Sequence, residues 1–424
     1  MSQVVIEEDV VIVGGGIAGL ATALGLKRVG VRALVLEKSN ELRTTGSSLS
    51  LAGNAWKALE ALGVAHKLAP LYPPPPLTKG RLTDVTTGAT RDIDFARTNS
   101  PKKYGVRAVH RKVLLEALAE ELPSESIRYC SKLASIQSET TASNGQKVAT
   151  VHLTDGTIIR SKIFIGCDGV HSLVAKRLGL SDPVESGRWA VRGLSTFPTG
   201  HGMSYSVEQF LASNIRAGMV AINAQEVYWF FTSKYSTTGR EDKFKTDPSE
   251  IQRAILDHFA KDFPSQYKKI VEHSEPSSLS WAPLMFRRPH HVLLHKLSKD
   301  NITVAGDAMH PMTPDLGQGG CAALEDSVVL SRHIGLSFLK NGQRVEPRDV
   351  PRALEEYAKE RRWRVTGLIV GSYLSGWVQG NGSNWVIKLL RTIFYMFVFK
   401  WIFRLVDFDC GKLPNADTER TKKD

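Results

Sequence analysis

Val10–Val13 is a run of four apolar residues that passes without a break into Gly14-Gly15-Gly16-Ile17-Ala18-Gly19. An apolar run of this length suits a strand buried on both faces, as in a parallel sheet. The glycines satisfy G-x-G-x-x-G. Gly14 permits a tight turn, Gly16 lets backbone approach a pyrophosphate, and Gly19 lets the next helix sit close on the strand. That helix, reaching to about Val29, would aim unpaired N–H groups and its positive dipole end at phosphates. A second strand, Arg32–Leu36, leads to Glu37, 18 positions beyond Gly19 (37 − 19). A carboxylate there accepts from ribose hydroxyls and repels a 2′-phosphate, so the loop suits FAD or NAD and not NADP.

Two further junctions narrow the choice. Ile163–Ile165 reads as a buried strand ending in Gly166-Cys167-Asp168-Gly169, with Ser172, Lys176 and Arg177 at a helix start. This places a carboxylate at the carboxyl edge of a sheet, where ligands bind, although alone it is a common turn. Asn301–Ala305 is another strand. Gly306 then allows close approach, and Asp307 can accept from the ribityl hydroxyls of FAD. Pro311 and Pro314 stiffen the loop, and Gly317-Gln318-Gly319-Gly320 opens a helix from Cys321 towards Ile334. A helix N-terminus there would stabilise negative charge on a reduced flavin ring. In this order, the three junctions point to FAD.

The 424 residues suffice for two or three domains, and composition is that of a soluble globular protein. The glycine-rich strand begins so near the start that no signal or transit peptide is expected. Cys130, Cys167, Cys321 and Cys410 form no C-x-x-C pair and read as free thiols in a reducing compartment, so a cytoplasmic location is expected. A net charge of +12 comes from small clusters, not a long basic tract with interleaved aromatics. Nucleic acid is therefore not the expected partner; an anionic nicotinamide cofactor or an acidic membrane surface accounts for the sign.

Beyond the opening strand–helix–strand unit, helical patterning appears at Asn54–Leu62 and Arg111–Leu122, and Pro73–Pro76 must be extended. Arg81–Phe95 reads as a hairpin turning near Thr87-Gly88, and Asp155-Gly156 as a turn between alternating strands. From about 185 to 285, runs such as Gly218–Asn223 and Val227–Thr232 flank one clear helix, Ser249–Phe259. The chain leaves the nucleotide fold, builds a mostly antiparallel sheet, and returns at Val292–Gly306; that excursion is where a substrate is expected.

These motifs resemble those of the FAD-dependent, single-component (group A) aromatic-hydroxylase family, and the string from Gly317 to Ser327 is most similar to plant zeaxanthin-epoxidase-like monooxygenases. The resemblance covers about residues 9–345. It implies an α/β fold: a doubly wound, Rossmann-like FAD-binding domain with an inserted antiparallel β-sheet substrate domain and C-terminal helices. The expected division gives the FAD domain 1–75, 101–184 and 286–345, and a substrate-domain hairpin 76–100. The β-sheet substrate domain takes 185–285, a C-terminal helical segment 346–412, and a polar tail 413–424.

Carried over by position, Gly14, Gly16, Gly19 and Glu37 match the pyrophosphate and ribose elements, and Arg43 an arginine that reaches the cofactor. Arg111 matches the arginine near the ribityl and phosphate, and Asp168 the Asp-Gly motif that serves both FAD and the nicotinamide. Asp307, Gly317, Gly319 and Gly320 match the ribityl and ring contacts. Each arginine could instead be a surface ion pair. Ser47-Ser48 departs from the small-residue pattern of relatives and leaves the ring contact there open.

There is a single G-x-G-x-x-G, so the implied reaction has NADPH or NADH dock transiently on the FAD domain. Flavin reduction, dioxygen addition to a flavin hydroperoxide, and hydroxylation or epoxidation of a small aromatic or lipophilic substrate would follow. The flavin carries that chemistry, so no side chain is assigned as catalytic and no metal is expected. The same scaffold also serves flavin-dependent reductases of isoprenoid double bonds, and a sensor or scaffold without turnover stays open.

Tyr205, Phe210, Trp229, Phe231, Trp281 and Phe286 could wall a pocket, but aromatics in a sheet are more often core. His290, His291 and His295 read as an exposed loop. Trp385–Phe408 is apolar with Lys388, Arg391, Lys400 and Arg404 interspersed, and the uncharged stretch Val365–Ile387 is rich in Gly, Ser, Asn and Gln. Neither suits a spanning helix. Core packing on the FAD domain is favoured for Trp385–Phe408, with peripheral membrane contact as the alternative. Gly14→Val and Asp307→Ala are each expected to purify largely colourless; full flavin absorbance in either would remove that residue from the site.

Overall fold

The computed structural model describes residues 5–42, 48–72, 77, 79–94, 105–140, 147–235, 248–380 and 407–415. Arg43, Ser47, Pro73–Pro76 and Trp385–Val406 lie outside the described residues. Two large sheets carry the architecture.

The first has eight strands. Its main path runs Ser298–Lys299, Ile302–Val304, Ile158–Gly166, Val5–Val13, Leu34–Leu36, Ile127–Arg128, and Leu133–Thr140 with Lys147–Leu153 joins beside Ile158–Gly166. Val13 pairs in parallel with both Leu36 and Gly166, and Gly166 with Val304. The carboxyl ends of four strands therefore lie side by side, and the three motifs leave the sheet at one edge. Val10, Val11 and Ile12 are fully buried, as their unbroken apolar run requires.

Ile158–Gly166 serves two roles that the sequence separates. Its first half closes the hairpin antiparallel to Lys147–Leu153, and its second half is the parallel neighbour of Val5–Val13 and Ile302–Val304. The helix Ile17–Arg28 packs against Gly319–Lys340 through small residues. A Cβ on Gly335 would come within 2.9 Å of Val29 Cβ, and a Cβ on Gly25 would strike the Ser331 side chain. Thr22 Oγ1 donates to Ser327 Oγ at 3.1 Å, and Ser327 Oγ donates to the Ala18 carbonyl at 3.1 Å. The first and third motifs are thus joined along their helices.

The second sheet has seven strands, in the order Ser280–Phe286, Val184–Thr196, Glu226–Lys234, Ile215–Ala221, Val207–Ala212, Lys79–Asp84, Thr90–Asp94. All pairs are antiparallel except Val207–Ala212 with Lys79–Asp84. The hairpin at Lys79–Asp94 thus joins this sheet from far away in sequence. Side chains alternate across it. Trp189, Val191, Trp229 and Phe231 form a core with Ile251, Ile255, Tyr267 and Ile270. Where the sequence suggests one helix here, there are two: Pro248–Ala254 running into a π turn at Ile255–Phe259, and Ser265–Glu272 after Pro264. Burial of Tyr267, Ile270 and Val271 explains the second.

The long helix Val350–Gly380 lies against Gly319–Lys340 through a buried ionic network. Asp326 Oδ2 accepts from Gly306 N (2.8 Å) and faces His310 Nε2 (2.5 Å), while Oδ1 accepts from Arg361 Nε (2.7 Å). Glu325 pairs with Arg361 and Arg364, each at 2.7 Å, and accepts from Asn54 Nδ2 at 2.5 Å. Glu325, Asp326, Arg361 and His310 are fully buried. Among the described residues no helix is long and apolar enough to cross a membrane.

Burial alone would raise the Asp326 carboxyl, but His310 and Arg361 outweigh it and hold its pKa at about 2. A depressed carboxyl contributes stability that is complete above its ordinary value and lost as pH falls through the folded value. Unfolding free energy is therefore expected to drop between pH 3.8 and about 2. In Asp326→Ala at neutral pH, Arg361 keeps Glu325 but loses its second carboxylate, and with the orphaned Gly306 N–H this should cost about 2–4 kcal/mol in urea titrations. A loss below the scatter of such titrations would show that the network does not hold the helix.

Candidate cofactor site

Gly14 turns with φ +106°, and its N–H donates to the Leu36 carbonyl at 2.8 Å. A Cβ there would strike the Cys167 carbonyl, and one at Gly19 the Gly14 carbonyl. These two glycines thus let the first loop lie against the second. At Gly16 the situation is the reverse. No heavy atom lies within 4 Å of where a Cβ would stand, and Gly16 is the N-cap of Ile17–Arg28 without a side-chain cap. Open space in front of an uncapped helix start fits an anion such as a pyrophosphate.

Glu37 has a second role that its spacing does not reveal. Its Oε2 accepts from Gly15 N at 2.7 Å and its Oε1 from Ser39 N at 2.9 Å, so the carboxylate braces the glycine loop. Each oxygen keeps a lone pair for a ribose hydroxyl. Asp168, at the same sheet edge, turns into its own helix start. Its Oδ1 accepts from Ser172 Oγ at 2.5 Å, and its Oδ2 from Leu173 N (2.7 Å) and Val174 N (3.3 Å). Burial nonetheless raises its pKa, against the pull of these bonds.

The third motif folds over the first. Gly306 has φ +60°, and a Cβ on it would come within 2.8 Å of Ala18 Cβ. Gly319 sits 3.9 Å from Asp307 Oδ1, and Gly320 3.6 Å from Ile17, each measured from a built Cβ. Asp307 is exposed, yet enough protein surrounds it that burial raises its pKa, partly offset by His310, Arg111 and Arg192. Arg111 opens the helix Arg111–Ala119, after a strand, Arg107–His110, paired with Ser48–Leu51. Ser48 Oγ donates to the Val109 carbonyl at 3.2 Å, which engages it with its partner strand. Gly317 takes φ +63° to end the turn Pro314–Leu316 and rests 3.9 Å from Ser50 Cβ.

Several residues of the site escape sequence reading. Arg188, Arg192 and Arg216 share strand parity with Tyr228 and Phe230, opposite in phase to Trp189, Val191, Trp229 and Phe231. Of the suggested pocket walls, Phe210, Trp229 and Phe231 are buried in the helix-side core, with Trp281 packed on it. Tyr205 and Phe286 pack on the main core. Arg192 interacts with Tyr228 and acts on Asp307, which links the second sheet to the third motif. Buried Asp315 accepts from Arg188 (3.0 and 2.7 Å) and Arg216 (2.9 Å), fastening the Pro314–Leu316 turn to the second sheet. The signal available was weak: arginines at Arg188 and Arg192 have the same parity in one strand. His290 and His291 lie on the helix Pro289–Leu294 and not on an exposed loop, the half-buried His291 and His295 rings stack with centroids 4.6 Å apart, and no group among the described residues could hold a metal.

Parallel strand ends that carry a helix-backed glycine loop, with a second sheet tied to the third motif through Asp315, suit an enzyme that binds a dinucleotide such as FAD. The FAD binding domain family matches residues 7–372, and the chain belongs to that family. Monooxygenase 2 of Arabidopsis thaliana is 38% identical over 413 residues, 96% of this chain and 98% of its own length. Zeaxanthin epoxidase of an Oncidium hybrid cultivar is 28% identical over 375 residues, 84% of this chain and 53% of its own length. Among solved structures, Klebsiella pneumoniae HpxO complexed with FAD and uric acid superposes with a TM-score of 0.75 at 22% identity, covering 96% of both chains. The chain is thus an FAD-dependent monooxygenase, an oxidoreductase.

Because burial raises the Asp307 pKa, its ionised form is disfavoured in the folded chain without flavin. Asp307→Asn is expected to raise the melting temperature of flavin-free protein at neutral pH while weakening FAD binding in fluorescence titrations. Unchanged FAD affinity, or a lower melting temperature, would contradict this placement.

Proposed function

We propose that this enzyme takes reducing equivalents from NADPH or NADH and inserts one atom of dioxygen into a small aromatic or lipophilic substrate. One substrate, one O₂, one NAD(P)H and a proton would give hydroxylated or epoxidised product, water and NAD(P)⁺. FAD, when bound, supplies reduction by the nicotinamide and activation of dioxygen. The protein supplies position, dryness and field.

In this reading Gly14, Gly16 and Gly19 leave room for the pyrophosphate, and Glu37 accepts from a ribose hydroxyl while bracing the loop. Arg111 and Asp307 hold the ribityl region, with Arg43 and Asp168 as further contacts. The stretch Gly317–Gly320 directs the start of Gly319–Lys340 at developing negative charge on the ring. Arg192 and Tyr228 offer a polar handle that orients one end of the substrate beside Phe230. The FAD domain would comprise 1–75, 101–184 and 286–345, and the substrate domain 76–100 and 185–285.

The observation that supports this most directly is the grip of Arg188 and Arg216, on the second sheet, upon Asp315, in the cofactor loop. These bonds hold the second sheet beside the loop, which favours a substrate on the sheet meeting a flavin on the loop. The test reduces the purified yellow protein with NADPH or NADH, admits ¹⁸O₂, and analyses products from phenolic and lipophilic candidates by mass spectrometry. One ¹⁸O per product molecule is expected. A product with a reduced double bond and no label would make the enzyme a reductase, and no reduction by either nicotinamide would make it a binding protein.

A further inference from the structure

Beyond Glu360 the helix Val350–Gly380 is apolar on both sides. Its inward side mixes Arg361, Arg364, Thr366, Ser372 and Ser375 with Val365, Leu368 and Ile369, all buried. Its outward side carries Trp363, Gly367, Val370, Tyr373, Leu374 and Trp377, with no charged group among them. Trp363 is 71% exposed and Trp377 44%, while Leu294, on the neighbouring helix Pro289–Leu294, is 73% exposed. Arg362 bonds the Leu293 carbonyl, which brings Trp363 and Leu294 into one neighbourhood. At 1.5 Å per residue the stripe from Trp363 to Trp377 is about 21 Å long. Contiguous exposed apolar surface of this kind marks an interaction site.

Charge says what it meets. From Arg361 to Val406 the sequence contains no Asp or Glu but seven Lys and Arg (Arg361, Arg362, Arg364, Lys388, Arg391, Lys400, Arg404). Of these, Arg361 and Arg364 are neutralised inside by Glu325 and Asp326. Arg362 flanks the stripe, and Arg288 and Lys296 are exposed at either end of the Leu294 helix. A second copy of a chain with net charge +12 would bring like charges together. An anionic lipid surface would not. Trp and Tyr, each an apolar ring with a polar tip, suit the headgroup boundary, and no described helix can cross the bilayer.

We propose that the outward stripe of Val350–Gly380 rests on the surface of an anionic lipid bilayer. The front of the same helix seals the site. A Cβ on Gly371 would lie 3.2 Å from Leu316, Gly376 leaves room for Arg188 and Asp315, and Tyr373, at the edge of the outward stripe, has one side against Phe286 with ring centroids 4.9 Å apart. Docking therefore sets the substrate sheet and the cofactor loop one helix thickness from lipid, a short path for a lipophilic substrate. This last step deepens the proposed function; the docking itself does not depend on it.

The test is flotation of the full-length, flavin-loaded protein with phosphatidylcholine vesicles, with and without phosphatidylserine, and its sedimentation velocity without lipid. Binding is expected only to phosphatidylserine vesicles, weakening with added salt. The double variant Trp363→Ser/Trp377→Ser should bind roughly tenfold or more weakly, with flavin absorbance and circular dichroism unchanged. Absence of vesicle binding by the wild type, equal binding by the double variant, or a wild-type dimer abolished in the variant would each overturn the proposal. Flavin absorbance is read separately, so a yellow protein that ignores vesicles removes only the docking. A colourless protein that floats removes only the flavin reading.

Discussion

Parallel pairing of Val13 with Leu36 and Gly166, and of Gly166 with Val304, is the constraint on which the rest depends. It is a backbone interaction, indifferent to most side chains, and it delivers three loops from distant parts of the chain to one edge. What the loops do there then depends on how closely they pass. Gly14 against Cys167, Gly19 against Gly14, and Gly306 against Ala18 are contacts that a side chain would hold apart. The cofactor site is in this sense a place where backbone has been stripped of Cβ atoms so that three turns can share one small volume.

Buried charge then fixes the cofactor loop at two points. Near its start, Asp326 holds Gly306 and His310 and is itself held by Arg361. In its middle, Asp315 is gripped by Arg188 and Arg216 from the second sheet. Replacing such clusters with apolar residues can be energetically neutral, so net stability is a poor account of them. Direction is a better one. Each carboxylate accepts from several donors at set angles, which defines where a glycine-rich loop must lie when glycines alone would allow many conformations. The second cluster also ties this loop to the second sheet.

The inward charge has a consequence for the C-terminal helix. A helix that answers Glu325 and Asp326 must spend inward positions on Arg361 and Arg364, and small Ser372, Ser375, Gly371 and Gly376 let it pass over the Asp315 triad. Val365, Leu368 and Ile369 still pack inward, but Trp363, Leu374 and Trp377 are left for the other side. With apolar residues on both sides and arginines inside, periodicity read without the neighbours gives this helix no clear inner face.

The residues of the chain determined by themselves the strand–turn–helix units, the glycine positions, the free thiols and the switch from a parallel to a mainly antiparallel sheet. These are local: apolar runs, period-2 alternation and the unique freedom of glycine act within a few residues. Only the tertiary structure decided that Glu37 braces Gly15, that Asp168 caps its own helix, and that Trp229 and Phe231 are core while Arg192 and Tyr228 take the opposite face of the sheet. It alone decided that Asp315 meets two arginines more than 90 residues away in sequence. A carboxylate or an aromatic ring does not carry its partner in its own neighbourhood; strand parity and sheet packing select that partner, and these exist only once the two sheets have come together.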